Sequence, residues 1–238
     1  VSRGFDVRRA VLALAGLGLV GVFLALGTWQ VQRRAWKLDL IARVEARLRA
    51  EPVAPPPSTE WGHLDGQAIE YRRVRVTGRF EHDRAALVQA LTERGAGFWV
   101  LTPLVQADGT TVLINRGFVP GDRKDRSERA EPAGESTVTG LLRLSEPGGG
   151  FLRHNDPAAD RWYSRDVSAL AAARTLRDVA PYFIDADATP NPGGLPVGGL
   201  TVVAFRNDHL VYALTWYALA LMSGGALVYA LRRPRSER

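Results

Sequence analysis

The chain has 238 residues, enough for one ordinary domain plus membrane segments, and a formal net charge of +6. Most of the excess lies in two short tails: Arg3, Arg8 and Arg9 against Asp6, and Arg232, Arg233, Arg235 and Arg238 against Glu237. A nucleic-acid binder concentrates cations on its folded domain, so no nucleic-acid partner is expected, and the absence of cysteine excludes disulfides, thiolate metal sites and a cysteine nucleophile.

Residues 1–9 form a basic tail. The apolar run from Ala10 to Thr28 predicts a transmembrane helix over 10–30, since roughly 20 residues at about 1.5 Å each cross a hydrocarbon core of about 30 Å. Gly16, Gly18 and Gly21 match the dinucleotide-binding glycine spacing. That motif needs a strand before it, whereas these glycines lie inside an uncharged segment where small residues let helices approach. Gly21 and Ala25 are the expected contact surface, facing Ala218, Met222 and Gly224–Ala226 of a second span. A cleaved signal peptide ending at Ala25-Leu26-Gly27 is the alternative. Against it, helical periodicity continues. Trp29, Arg33, Arg34, Trp36 and Lys37 suit a membrane edge, and Leu38, Ile41, Val44 and Leu48 recur on one face. Residues 31–50 therefore predict an amphipathic extension, stopped by Pro52 and Pro55-Pro56-Pro57.

Residues 51–208 read as a mainly antiparallel β domain, an open sheet or barrel, with one short helix. Val74 to Phe80 alternates apolar and polar positions. Ala85–Leu91 is a short apolar run. Phe98–Val105 and Thr110–Asn115 flank the turn Ala107-Asp108-Gly109. Thr137–Leu144, Pro181–Asp185 and Leu200–Phe205 complete the predicted strands, and the alanine-rich Val167–Leu176 predicts the helix. Gly121–Glu135 reads as a solvated loop, and Asn115-Arg116-Gly117 as a strand end.

The second span covers 209–231. From Leu210 to Leu231 there is no charged side chain, and residues 232–238 form a second basic tail. Four arginines follow this span and only Arg206 closely precedes it, which places both termini in the cytoplasm and the central domain outside it. Nine residues precede the first span, too few for a transit peptide, so a bacterial plasma membrane is expected over a mitochondrial inner membrane. Because the chain opens on Val1, a longer precursor stays open.

Several stretches taken together match a family. They are Gly27-Thr28-Trp29-Gln30 with Arg33 and Arg34; Tyr71-Arg72-Arg73-Val74 with Thr77-Gly78; Phe98–Leu104; Ile114-Asn115-Arg116-Gly117-Phe118-Val119-Pro120; and Asn207-Asp208-His209-Leu210 with Tyr212–Trp216. Along nearly its whole length the chain resembles the Surfeit-locus-one family of cytochrome oxidase assembly factors. Two departures are Phe118, where the family more often has Trp, and Asp208, where it usually has Asn. The resemblance implies a membrane-anchored, non-enzymatic factor that helps place haem a in subunit I of a haem-copper oxidase. Subunit I is thus the implied partner, with haem a synthase a second candidate. It further implies His209 as the candidate axial ligand to the haem iron.

Imidazole is the commonest haem donor. His63, His82 and His154 sit in polar loops, and no two histidines have metal-ligand spacing. His209 stands at a membrane rim, with Tyr212 or Ala213 and Trp216 on its helical face and Trp29 and Gln30 ending the first span at the same level. Arg33, Arg34, Arg116 and Arg206 are the candidate partners for propionates. Arg116 equally suits a partner's carboxylate. The same pattern also fits a histidine that merely anchors its helix, and a cofactor-free scaffold for subunit I. Asp208 beside His209 would favour the imidazolium form and so compete with metal ligation. An enzyme is the weakest reading. There is no Gly-x-Ser-x-Gly elbow, phosphate loop or paired-histidine motif, and His154, Asp156 and Ser164 carry no spacing signal.

Overall fold

A computed structural model describes residues 7–129, 131–150, 153–203 and 205–232. The chain divides into two units, Val1–Arg43 with Ala204–Arg238, and Val44–Val203.

The first unit is a pair of helices. Helix α1 spans Val7–Arg49, its last turns falling within the second unit, and α4 spans His209–Arg232. Both are long and apolar enough to cross a membrane, and only 6% and 11% of their apolar windows are buried. A soluble core helix would hide that surface, so its exposure fits lipid. Gly21 does not make the helix contact expected of it; a Cβ there would meet nothing. A Cβ on Gly16 would instead strike Leu227 at 2.7 Å, and one on Gly27 the Tyr217 ring at 2.7 Å. Phe23 stacks on Trp216 at 5.7 Å, and Gly224 lies against Val20. Gly16, Val20, Phe23 and Gly27 are spaced four, three and four apart, the seam of a two-helix pair running antiparallel to Leu227, Gly224, Tyr217 and Trp216. Gly21 and Ala25 are both exposed, on the helix surface away from that seam.

The second unit is a β-barrel. Its strands are β1 (Arg73–Phe80), β2 (Ala86–Thr92), β3 (Gly95–Val105), β4 (Thr111–Pro120), β5 (Glu135–Leu144) and β6 (Val179–Ala186). They run in the order β1-β5-β6-β4-β3-β2, and β1 also pairs with β3, so five strands close and β2 stands outside. All pairings are antiparallel except β4 with β6. Closure happens at the end of β1, where Arg79 and Phe80 pair with Val105 and Leu104 after Arg73–Arg79 have paired with β5. Gly78 makes this bend possible, since a Cβ there would sit 2.4 Å from the Val105 carbonyl oxygen.

Alternation along the strands puts Val74, Val76, Leu104, Val112, Ile114, Leu142, Tyr182 and Ile184 inside. The opposite face of β2, β3, β4 and β6 carries Val88, Leu101, Leu113 and Phe183. These are covered by Trp162 and by Val167 and Leu170 of α3 (Val167–Ala173). Two-sided burial explains why β3 and β4 read as continuous apolar runs. The short helix α2 (Gly66–Ile69) caps one side, and Arg47 donates to the carbonyls of Gln67 and Glu70.

Two expectations about the strands fail. Among the described residues of 200–205 there is no strand, and Ala204 lies outside them. This segment is held by a side chain instead, Thr201 Oγ1 donating to Asp185 at 2.8 Å. Nor does β4 end at Asn115–Gly117. Trp99 pairs with Phe118 and Leu101 with Asn115, so Val100 faces both Arg116 and Gly117 across a bulge, beyond which the strand runs on to Pro120.

Asp185, only 2% exposed, fastens this region. It accepts from Asn115 Nδ2 at 2.7 Å, Arg143 Nη1 at 3.1 Å, Arg165 Nη1 at 3.0 Å and Thr201 Oγ1. Glu146 shares both arginines. Removing one partner of a buried pair costs roughly 3–5 kcal/mol, and the retained Glu146 sets the lower end here. Asp185→Asn should therefore lower the midpoint of thermal unfolding in detergent by roughly 6–12 °C, read by near-ultraviolet circular dichroism. A shift under about 2 °C would mean the carboxylate is not what holds the barrel.

Candidate functional site

The helical unit brings one pair of predicted site residues into direct contact. His209 begins α4, and its Nδ1 lies 2.7 Å from Gln30 Oε1 on α1. An amide oxygen can only accept, so Nδ1 carries a proton, and in the neutral ring the lone pair lies on Nε2. This is the arrangement by which a neighbour orients an imidazole for metal ligation through its other nitrogen.

Gln30 extends the helix seam. It follows Gly27 by three residues, Arg34 follows it by four, and Lys37 follows by three more. The Lys37 ammonium lies 4.9 Å from the centre of the Phe205 ring, confirming that this face looks toward the chain leading into α4. The seam thus changes from glycine and aromatic residues to an amide and then to cations. A polar end to an apolar seam belongs where lipid gives way to water.

The other predicted residues have separate placements. Trp216 stacks on Phe23 about two turns below the seam's polar end. Of the two residues projected beside His209, Ala213 is buried, while Tyr212 is 55% exposed, as is Trp29 at 54%. Exposed rings at this level suit interfacial anchoring. Arg33 lies over the Trp36 ring at 4.1 Å. Arg206 donates to Asp208 Oδ2 through Nε and Nη2, at 3.1 and 2.8 Å. The negative charge expected to bear on His209 is therefore answered by a guanidinium. Arg116 belongs to the barrel unit, where its guanidinium lies 5.2 Å from the Phe80 ring centre and its Nη2 donates to Asn191 Oδ1 at 3.1 Å.

Sequence spacing overlooked Phe23 and Tyr217. The Tyr217 hydroxyl lies 3.2 Å from Thr28 Oγ1, a polar contact just below Gln30. The four-three repeat from Gly16 to Lys37 was the available signal. Two other histidines face backbone carbonyls, His82 that of Pro132 and His154 that of Gly148. Ser164 Oγ accepts from Gly149 N–H and from Asn155, and Asp156 pairs with Arg161, so these three side chains do not form a catalytic set. Among the described residues there is no group of three or more metal-ligating side chains.

The model of the SURF1 family matches residues 17–221. The chain belongs to the SURF1 family. Surfeit locus protein 1 of Rattus norvegicus is 39% identical over 212 residues, covering 82% of this chain and 67% of its own. The Homo sapiens protein of the same name is 38% identical over 216 residues, covering 82% and 69%. A SURF1-like protein of Monosiga brevicollis is 39% identical over 228 residues, covering 89% and 84%. The family match takes in both ends of the helix pair that meet at Gln30 and His209, and the whole barrel.

Replacing the amide should release the imidazole. In wild-type protein carrying ¹⁵N-labelled histidine, the His209 ring is expected as a single Nδ1–H tautomer. Gln30→Leu should turn it into a mixture dominated by Nε2–H. A wild-type ring already in the Nε2–H form would rule out the orientation described.

Proposed function

We propose that this protein is an assembly factor for a haem-copper terminal oxidase, which presents haem a for placement in subunit I. Membership of the SURF1 family, known for oxidase assembly factors, supports the general role. The observation that carries the finer reading is the His209–Gln30 pair, an imidazole oriented by an uncharged acceptor with its Nε2 lone pair left available. The donor chemistry fits haem iron, for which a single well-oriented imidazole suffices. His209 would hold the iron, with Trp216 and Phe23 as apolar surface below it. Arg33 and Arg34 would answer the propionates. Arg206 would do so only by sharing its bond with Asp208. When bound, the haem would supply the redox group destined for the oxidase. The protein's own part is to orient the imidazole and hold the porphyrin at the membrane edge, where its isoprenoid tail stays in lipid.

We place the protein as a two-pass protein of a respiratory membrane, the bacterial plasma membrane first and the mitochondrial inner membrane as the alternative. The arginines after α4 favour cytoplasmic termini and an external barrel. Partners in this reading are subunit I and, for delivery of the cofactor, haem a synthase.

Expression in a host that makes haem a, followed by purification in detergent, should give a coloured protein with a Soret band. His209→Ala should remove most of that band, and Gln30→Leu should weaken it several-fold. Colourless wild-type protein from such a host would favour a cofactor-free scaffold for subunit I. For topology, reporter fusions at Gly148 and after the C-terminus should report opposite sides of the membrane. Reporters on the same side would refute two spans.

A further inference from the structure

The charged loop after β4 forms one wall of a cleft of about 470 Å³ over the β2–β3 ribbon. Leu87 pairs with Val100 and Gln89 with Phe98, which sets these four side chains on one face of the ribbon. Val88 and Leu101 take the other face, under Trp162 and α3. Leu87, Gln89 and Phe98 give the cleft its floor, and Lys124, Arg126 and Arg129 come from the loop. The opposite wall is the segment Asp160–Trp162, tied to β2 by the Gln89 N–H, which donates to the Trp162 carbonyl at 2.8 Å. The volume lies within the usual range of about 300–1,000 Å³ for small-ligand sites.

Most charges on these walls already have a counter-ion. Arg126 donates to Glu131 Oε1 at 2.6 Å and to Oε2 at 2.7 Å, and it also pairs with Asp83. Arg161 pairs with Asp156 at 2.6 Å. Asp160 Oδ1 accepts from Trp162 Nε1 and from Arg174 Nη2, both at 2.6 Å. Among the described residues, Lys124, Asp125 and Arg129 are the lining charges without an ion pair, which leaves the cleft a single surplus positive charge. Arg129 stands apart from the other two, because its Nε is buried with no hydrogen-bond partner. Burial lowers its pKa from the usual arginine value, with the Glu131 charge opposing that shift, and the guanidinium stays charged at neutral pH. A buried donor without an acceptor destabilises the fold, so an orphaned donor on a residue that lines a cleft marks a place for an acceptor from outside. Gln89 brings a neutral donor to the same space: its Oε1 accepts from Arg153 Nη1 at 3.0 Å, which leaves the amide nitrogen to donate elsewhere.

We propose that this cleft binds a monocarboxylate carried on an apolar body, with Arg129 as its receptor. One surplus positive charge matches one carboxylate, and the planar fork of a guanidinium matches its two oxygens. Leu87 and Phe98, both half-buried, give the apolar body a surface. Lys124, exposed on the same loop, attracts the anion, and Asp125 beside it disfavours a second negative charge. The cleft lies wholly within the barrel unit and does not depend on haem binding by the helix pair.

The carboxylate has two sources, a free organic acid or the C-terminus of a polypeptide. Titrations of the full-length protein in detergent, followed by saturation-transfer NMR, distinguish them. The probes are 3-phenylpropionate against its amide, and the dipeptide acetyl-Ala-Leu as the free acid against its amide. One acid should bind roughly tenfold or more tightly than its amide, and the acid that does so identifies the source. Arg129→Gln should abolish that preference while moving the midpoint of thermal unfolding by less than about 2 °C, since it removes a cation that holds nothing in the fold. Gln89→Trp, which fills the cleft from an exposed position and leaves the arginine in place, should weaken binding roughly tenfold or more, and it decides the matter if Arg129→Gln does not fold. Four results would each overturn the proposal: equal binding of acid and amide, no binding of any probe at millimolar concentration, wild-type binding in either variant, or an unfolding midpoint in Arg129→Gln lowered as far as in Asp185→Asn, which would mark the arginine as structural.

Discussion

A carboxylate taken out of water in the wall of a small barrel governs the arrangement of this domain. Asp185 loses its hydration and regains it as bonds from β4, β5, the approach to α3 and the segment leading out toward α4. Desolvation of an ion is costly, and only a full set of well-placed donors offsets it. The consequence is specificity of position. Asn115 donates to Asp185 and accepts from the Gly117 N–H, which ties the β4 bulge to the same carboxylate, while Arg116 falls on the same side as Ile114 by alternation. Arg165 reaches Asp185 from the residue before the Asp166 cap of α3, so the helix that covers the outer face is placed by the same charge.

Packing in the helical unit obeys another constraint. Lipid tails are as apolar as leucine, so two spans gain little by hiding apolar surface from each other. What they gain is close contact and the pairing of polar groups. Gly16 and Gly27 admit Leu227 and Tyr217 at distances that any side chain would block. At the upper end His209 and Gln30 satisfy each other, which removes the cost of having either near hydrocarbon. Close packing and polar pairing share one seam, so the register that seats the glycines also brings the imidazole to the amide.

The two spans were legible because their signals are local and long. The strand alternation at 74–80 and the Asp-Gly turn at 108–109 were legible for the same reason, since each depends on neighbours in sequence. Barrel closure was not, because it depends on Gly78 meeting Val105 and Gly140 meeting the Asp185 carbonyl, contacts between distant residues. Leu200–Phe205 has the composition of a strand, but Thr201 is held by Asp185, and tertiary contact overrode propensity there. The spacing of Gly21 and Ala25 points to a contact surface that the helix pair does not use. Small-residue spacing occurs on more than one side of a glycine-rich helix, and only the partner's large side chains, Leu227 and Tyr217, select the face. Of the site, His209 and Gln30 were named from their shared rim. Arg116 is a candidate on its chemistry alone, since nothing local in the sequence assigns it to the barrel unit.

The choice of Gln at position 30 has a chemical consequence. A carboxylate there would also orient the ring, but it would add charge and hold a second proton on the imidazole more firmly. An amide oxygen fixes the donor nitrogen and leaves the ring's charge state to its other surroundings. Asp208 is the nearest carboxylate in sequence, and its Oδ2 accepts two bonds from Arg206. Gln30 therefore orients the imidazole without adding charge, and the neighbouring ion pair is already closed on itself.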